Sequence, residues 1–211
     1  MFNKINNYFT HKDKELRDNR WIFASMLVGA ILSLIAAFVL SIEAVEIAKN
    51  PNVQLSCSIN TIINCATVAK TSFASLFGFP NSFLGILAEP VVITVAVAGL
   101  AGVKFPRQFM FVAQIFYTLG FLFAYYLIFI STFVIQALCP WCLLVTLSTT
   151  FVFFSMTRYN IRENNLYFSK KFAKHAKTFI EKDYDKLILA SLVAIITAIV
   201  IIKYGNNGLF A

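Results

Sequence analysis

Five stretches of this chain are apolar over lengths close to the ~20 helical residues needed to cross a hydrocarbon core about 30 Å thick. They run from about Trp21 to Ile42, Phe83 to Val103, Phe109 to Ile135, Pro140 to Met156 and Leu187 to Ile202. Lipid offers no hydrogen bonds, so a single spanning segment satisfies its backbone as a helix. The fifth stretch is short; Tyr184 and Tyr204 are expected to anchor it at the interfaces while Lys186 and Lys203 snorkel. The first is too long for the apolar core of a cleavable signal peptide and lacks a small-residue cleavage site, so it reads as a retained helix. With 59% hydrophobic and 13% charged residues, the composition argues against a soluble globular enzyme and rules out a disordered chain. The expectation is an all-α integral membrane protein with five transmembrane helices.

The net charge of +8 is confined to short segments between apolar runs, which disfavours nucleic-acid binding and fits an orientation signal. If the helices alternate, three segments share one side. They are the tail with Lys4, Lys12, Lys14, Arg17 and Arg20, the loop with Lys104 and Arg107, and the stretch from Arg158 to Lys186. Together they carry 15 of the 18 Lys and Arg residues; Lys49, Lys70 and Lys203 lie opposite. The asymmetry predicts a cytoplasmic N-terminus, an outer C-terminus and an odd number of spans. Between Asn165 and Lys182, Phe168, Phe172, Ala176, Phe179 and Ile180 recur at helical spacing among lysines, which predicts an amphipathic helix lying along the headgroups.

All four cysteines fall on the predicted outer side, Cys57 and Cys65 in the first outer loop, Cys139 and Cys142 where the fourth helix begins. The outer compartment is the oxidising one, where disulfides persist. Cys139-Pro140-Trp141-Cys142 is the sharper signal, because a C-x-x-C pair closes a small disulfide that is readily reduced and re-formed. Pro140 suits the first helical position, placing Cys139 at a helix N-terminus whose partial positive charge favours a thiolate. Cys142 lies one turn inside, facing the bundle. After Cys65, the residues Ala69, Phe73, Leu76 and Phe77 share one helical face, which predicts a short amphipathic lid ending at Gly78 and Pro80. Such a lid holds Cys65 near Cys139 and leaves Cys57 towards water. A static structural bridge at either pair stays open as an alternative, as does zinc, although C-x7-C with C-x2-C is not a usual ribbon and no outer histidine assists.

The layout resembles the vitamin K epoxide reductase family in three pieces: Cys57-x7-Cys65, the stretch SLFGFPNSFLG from Ser75 to Gly85, and CPWC opening the fourth helix. The resemblance implies a four-helix bundle around a quinone, with the fifth helix peripheral. It implies a relay in which a partner's thiols reduce the loop disulfide through Cys57, Cys65 exchanges with Cys139, and Cys142 passes electrons to the quinone. Asn81 matches the family's quinone-facing asparagine. Thr71 stands where a serine is common and keeps the hydroxyl, so the resemblance carries it over, with Thr146, as a quinone-site residue; Thr146 stands where vertebrate enzymes have a tyrosine, which weakens vitamin K epoxide as a substrate. Many bacterial relatives carry a fused thioredoxin-like domain; this chain ends at Ala211, so the expected partner is a separate DsbA-like thioredoxin-fold protein of the periplasm. The organisation expected is a cytoplasmic tail (1–20), the catalytic bundle (21–158), a basic interfacial segment (159–186), and the fifth helix with an outer tail (187–211).

Two Cys pairs in series let a water-soluble partner exchange electrons with a lipid-soluble acceptor, and one dithiol matches the two electrons of a quinone. A strongly oxidising partner near −120 mV still needs a downstream sink, for which ubiquinone or menaquinone in the membrane pool is the expected cofactor. Glu89, within the second helix before Pro90, is a candidate proton shuttle, or else a carboxyl bonded to backbone that the proline frees. Phe116, Tyr117, Phe121 and Tyr125 are expected to pack helices, with quinone contact for one or two, and Trp141 to shield the disulfide or anchor at the interface. The function expected is quinone-dependent oxidation of partner thiols at a bacterial inner membrane. The DsbB family is a competitor within that chemistry, but it carries its C-x-x-C in the first outer loop. An endoplasmic-reticulum reductase, and a non-enzymatic transporter or assembly factor with structural disulfides, are the alternatives.

Overall fold

The computed structural model describes residues 13–205 apart from 56 and 61. Lys4, His11 and Lys12 of the basic tail lie outside the described residues. Helix α1 spans Lys14–Lys49, and the Asp13 side chain caps it by accepting from the backbone N–H of Glu15 and Leu16. A single helical turn, α2 (Cys65–Ala69), is followed by a 3-10 turn over Ser72–Ser75. Then come α3 (Ser82–Leu100), α4 (Arg107–Phe129, running on as a π-helical segment to Ile135), α5 (Pro140–Arg162), α6 (Lys170–Glu181) and α7 (Tyr184–Tyr204). No strand occurs among the described residues, only an isolated bridge between Ile63 and Leu138.

Five of these helices, α1, α3, α4, α5 and α7, are long and apolar enough to cross a membrane. The spans outrun the apolar stretches that mark them: α1 extends beyond Trp21 and Ile42 at both ends, and α5 continues past Met156 to Arg162. Backbone hydrogen bonding propagates a helix through flanking polar residues once the apolar stretch has formed. The amphipathic helix expected between Asn165 and Lys182 spans Lys170–Glu181, with Ser169 as its N-cap, so it starts later than its hydrophobic spacing suggests.

Helix α1 is the spine, packed along both α3 and α5, while α4 packs on α5. Without water between helices, association depends on close packing, which small residues permit. A Cβ added at Gly85 would sit 2.7 Å from the Ala37 Cβ, and one at Gly29 2.7 Å from a Val152 methyl. Interhelical hydroxyl contacts, Ser41 to Ser82 and Ser25 with Ser155, add to both interfaces. The core between α1, α3, α4 and α5 contains Phe23, Met26, Val95, Met110, Val152 and Met156. Helix α7 lies outside this bundle, touching mainly α5 and α6. Helix α3 barely meets α4, and a cavity fills the gap between them.

Candidate functional site

The four cysteines converge at the end of the bundle where α1 ends and α3 and α5 begin, opposite the basic α6. Two backbone hydrogen bonds create this convergence. Leu138 N–H donates to Ile62 C=O at 2.7 Å, and Asn64 N–H donates to Leu138 C=O at 3.0 Å. They align the residues before Cys65 beside those before Cys139. Asn64 then caps α2 by accepting from Thr67 N–H, which fixes Cys65 as its first residue. Gln136, at φ 60°, turns the chain from α4 towards α5 in the left-handed region.

Cys57 and Cys65 form a disulfide, with Cα atoms 5.7 Å apart, while Cys139 and Cys142 are free. The Cys65 sulfur lies 3.4 Å from that of Cys139, so the two pairs are in direct contact. Cys139 is the N-cap of α5, and its sulfur accepts from Cys142 N–H at 3.3 Å. The Cys142 thiol, followed by the backbone N–H groups of Cys142 and Trp141, holds the Cys139 thiol below its ordinary value, against burial and the nearby Glu43. Trp141 packs against the sulfur cluster together with Leu55 and Leu40, so the indole shields the cysteines. A disulfide leaves neither Cys57 nor Cys65 as a thiolate, so in this state the quartet offers no four-thiolate zinc site.

Cys57 is not turned to water. It is 7% exposed, and its sulfur lies 3.0 Å from Glu43 Oε1 on α1. The loop folds back because Leu55 enters the apolar cluster beside it, a tertiary contact that loop sequence does not announce. Nothing in the sequence singles out Glu43, which follows the apolar stretch ending at Ile42 and stands with Glu46 and Lys49 in the last turns of α1.

The lid is not one continuous helix. The short α2 ends at Lys70, and the 3-10 turn begins after Thr71, whose hydroxyl donates back to Val68 C=O. Ala69, Phe73 and Phe77 still face the cavity, whereas Leu76 does not line it. Gly78 takes φ +80°, letting the chain turn into α3. Asn81 fastens this lid: its Nδ2 donates to Phe73 C=O at 2.7 Å and its Oδ1 accepts from Leu76 N–H at 3.1 Å.

Below the sulfurs, the cavity measures about 1160 Å³ and is walled by α1, α3, α4 and α5. Cys142, Asn81, Thr146 and Glu89 line it, with Phe116 and Tyr117 from α4; Thr71 is not brought there. The Thr146 hydroxyl donates to Cys142 C=O, which orients it along α5. Glu89, 4% exposed, accepts from the Tyr117 hydroxyl at 3.3 Å through Oε1, while Oε2 has no hydrogen-bond partner. Its partner is thus a side chain across the cavity and not backbone freed by Pro90. Phe121 and Tyr125 pack helices instead, Phe121 stacking on Phe153 and Tyr125 bonding Thr150. An apolar cavity with a few convergent polar groups is the usual form of a small-molecule site.

Among curated proteins, none matches this chain. The profile of the Vitamin K epoxide reductase family matches residues 24–157, more than half of the chain and the part that holds all four cysteines, the lid and the cavity. That match and the sulfur arrangement make the chain a multi-pass membrane protein with thiol-disulfide oxidoreductase chemistry, and it belongs to the vitamin K epoxide reductase family.

Proposed function

We propose that the protein oxidises the thiols of a separate periplasmic thioredoxin-fold partner and passes the electrons through its two cysteine pairs to a quinone. The observation that carries this reading is the 3.4 Å contact between Cys65 and Cys139, with Cys142 opening onto an apolar cavity. A closed outer pair beside an open inner pair corresponds to the moment after electrons have moved inward.

The path runs as follows. A partner thiolate attacks Cys57; because Cys57 is buried, the loop around Leu55 to Ile63 has to lift to admit it. Cys65 leaves as a thiolate, and the partner's second thiol releases Cys57 as the partner's own disulfide forms. Cys65 then attacks Cys139 of the oxidised inner pair, expelling Cys142, and Cys57 closes on Cys65 to release Cys139. The lowered Cys139 thiol is a good leaving group for that closure.

The cavity fits a quinone on its own terms. Its walls are apolar, it lies open between α3 and α4 towards the acyl chains, and its polar groups are few. Asn81, Thr146, Tyr117 and Glu89 would hold the ring and its carbonyls. A bound quinone, ubiquinone or menaquinone, supplies a two-electron and two-proton sink. Cys142 presents its sulfur to that space, the Asn81-fastened lid keeps water from it, and Glu89 and Tyr117 can hold a proton inside it.

The orientation proposed puts the cysteine end in the periplasm and the basic end in the cytoplasm of a bacterial inner membrane. The lysine-rich α6, with Phe172 and Phe179 exposed, supports this by fitting an anionic cytoplasmic leaflet. The deciding test is Cys142→Ala with quinone reduction measured at saturating partner dithiol. Turnover should vanish while the loop disulfide still exchanges with the partner; unchanged turnover would end the proposal.

A further inference from the structure

We propose that Glu43 is the general base of the loop pair: its carboxylate takes the thiol proton of Cys57 as Cys57 closes on Cys65, and the carboxyl keeps that proton while the disulfide stands. The inference deepens the relay above and rests on it.

Three observations on α1 lead there. Glu43 is 5% exposed, nearly two turns before the helix ends at Lys49. Its Oε1 is 3.0 Å from the Cys57 sulfur, and a carboxylate oxygen and both sulfurs of the disulfide lie within 4.8 Å of one another. Its Oε2 is buried with no hydrogen-bond partner. A disulfide sulfur bears no hydrogen, so any hydrogen in the Oε1 contact belongs to the carboxyl. An ionised carboxylate would instead be buried with no compensating cation, a costly arrangement. Among the described residues no ion pair includes Glu43.

The described groups facing it include no cation. Glu46 lies on its own helix, Cys57 and Cys65 on the loop and α2, and Cys139 and Cys142 at the start of α5. Glu43 is the carboxyl placed to receive the proton of Cys57. In the closing step the S–H bond of Cys57 breaks and its proton goes to Glu43. The Cys57–Cys65 bond forms, the Cys65–Cys139 bond breaks, and the electron pair leaves on Cys139 as thiolate. When the partner next delivers electrons, Cys57 departs from its mixed disulfide as a thiolate and recovers the proton from Glu43. The carboxyl is then ready for another turn.

The test is rapid mixing of the full-length protein in detergent with reduced partner, acid quenching, and separation of the disulfide species without reductant. In Glu43→Gln, the Cys65–Cys139 mixed disulfide should accumulate, with closure slowed on the order of 100-fold near neutral pH, a common size for a lost general base. The deficit should shrink as pH rises towards the ordinary thiol value of about 8.5, where Cys57 ionises unaided. Glu43→Asp should recover part of the rate. Closure at the wild-type rate, or a deficit independent of pH, overturns the proposal. If wild-type protein exchanges nothing between its pairs, the relay itself fails and takes this step with it. Should Glu43→Gln not fold, infrared difference spectra of wild type decide the matter. Oxidising the loop pair must bring up a protonated-carboxyl band that shifts in Glu43→Asp and stays in Glu89→Gln; the lack of that band overturns the assignment.

Discussion

Asn160 at the basic end of the bundle and the two acids Glu43 and Glu89 are all buried polar side chains, and they are satisfied in opposite ways. At the basic end, Asn160 is fully buried. Its Nδ2 donates to Met110 C=O and Gln114 Oε1, its Oδ1 accepts from Asn165, and Gln114 donates onward to Thr157. Glu43 beside the loop disulfide and Glu89 deeper in the cavity are nearly as buried, yet each keeps one carboxyl oxygen without a hydrogen-bond partner. A buried polar group left unsatisfied costs about 1–3 kcal/mol, more if charged. The paired cluster locks helices together; the acids keep a free oxygen, at the places where the proposed relay needs a proton acceptor.

The largest effect that would break this contrast is at the sulfurs. Cys139→Ser should abolish electron transfer between the pairs, because Cys142 alone cannot form the inner disulfide whose Cys139 sulfur Cys65 attacks. Its melting temperature should stay near that of wild type. A variant that keeps turnover would dissolve the distinction between the two ends.

The opposite pattern is expected at Asn160. Asn160→Leu removes three hydrogen bonds and strands Gln114 Oε1 and Asn165 Nδ2, so thermal unfolding in detergent should show a loss of about 2–4 kcal/mol. Quinone reduction per folded molecule should be unchanged. A variant that is stable but catalytically impaired would give the basic end a role in the chemistry.

A smaller and mixed effect is expected at Asn81. Asn81→Ala releases both backbone groups of the lid, worth about 1–2 kcal/mol locally. Limited proteolysis should cut near Ser75 faster, and the quinone KM should rise more than kcat falls. Equal losses in both would argue that the amide acts on the reacting ring and not through the lid.

The smallest effect concerns the clamp at the basic end, where Arg158 bonds Asp185 and Asp183 and Lys186 reaches Asp183. Lys186, with Arg158 after it, holds the Asp183 carboxyl below its ordinary value. Its contribution is therefore present above the usual carboxylate range and is lost as pH falls through the lowered value. Since Asp183 is largely exposed, Asp183→Asn should change the acid limb of a stability-versus-pH curve only slightly. A large change would mean that α7 depends on this contact more than its exposure allows.

Much of this organisation is legible in the sequence because it rests on local rules. Apolar length fixes the spans, the excess of lysine and arginine marks one end, and Pro140 announces the start of α5. CPWC and the loop pair, with their spacing, carry the family as well as the chemistry. The lid reads less well. Its apolar spacing is helical, but the backbone breaks between Lys70 and Ser72, where Thr71 bonds back to Val68. A side chain that competes for local carbonyls is a weak signal against a strong periodicity.

What the sequence determined by itself is the solvent, the spans and the sulfur chemistry, because these follow from composition, helical length and the spacing of C-x-x-C. What only the tertiary structure decided is which groups meet. The pairing of residues 62–64 with Leu138 brings Cys65 to Cys139, and the fold-back at Leu55 buries Cys57 against Glu43, 14 residues earlier in the chain. Contacts of that kind arise from packing between distant segments, and no periodicity within either segment encodes them.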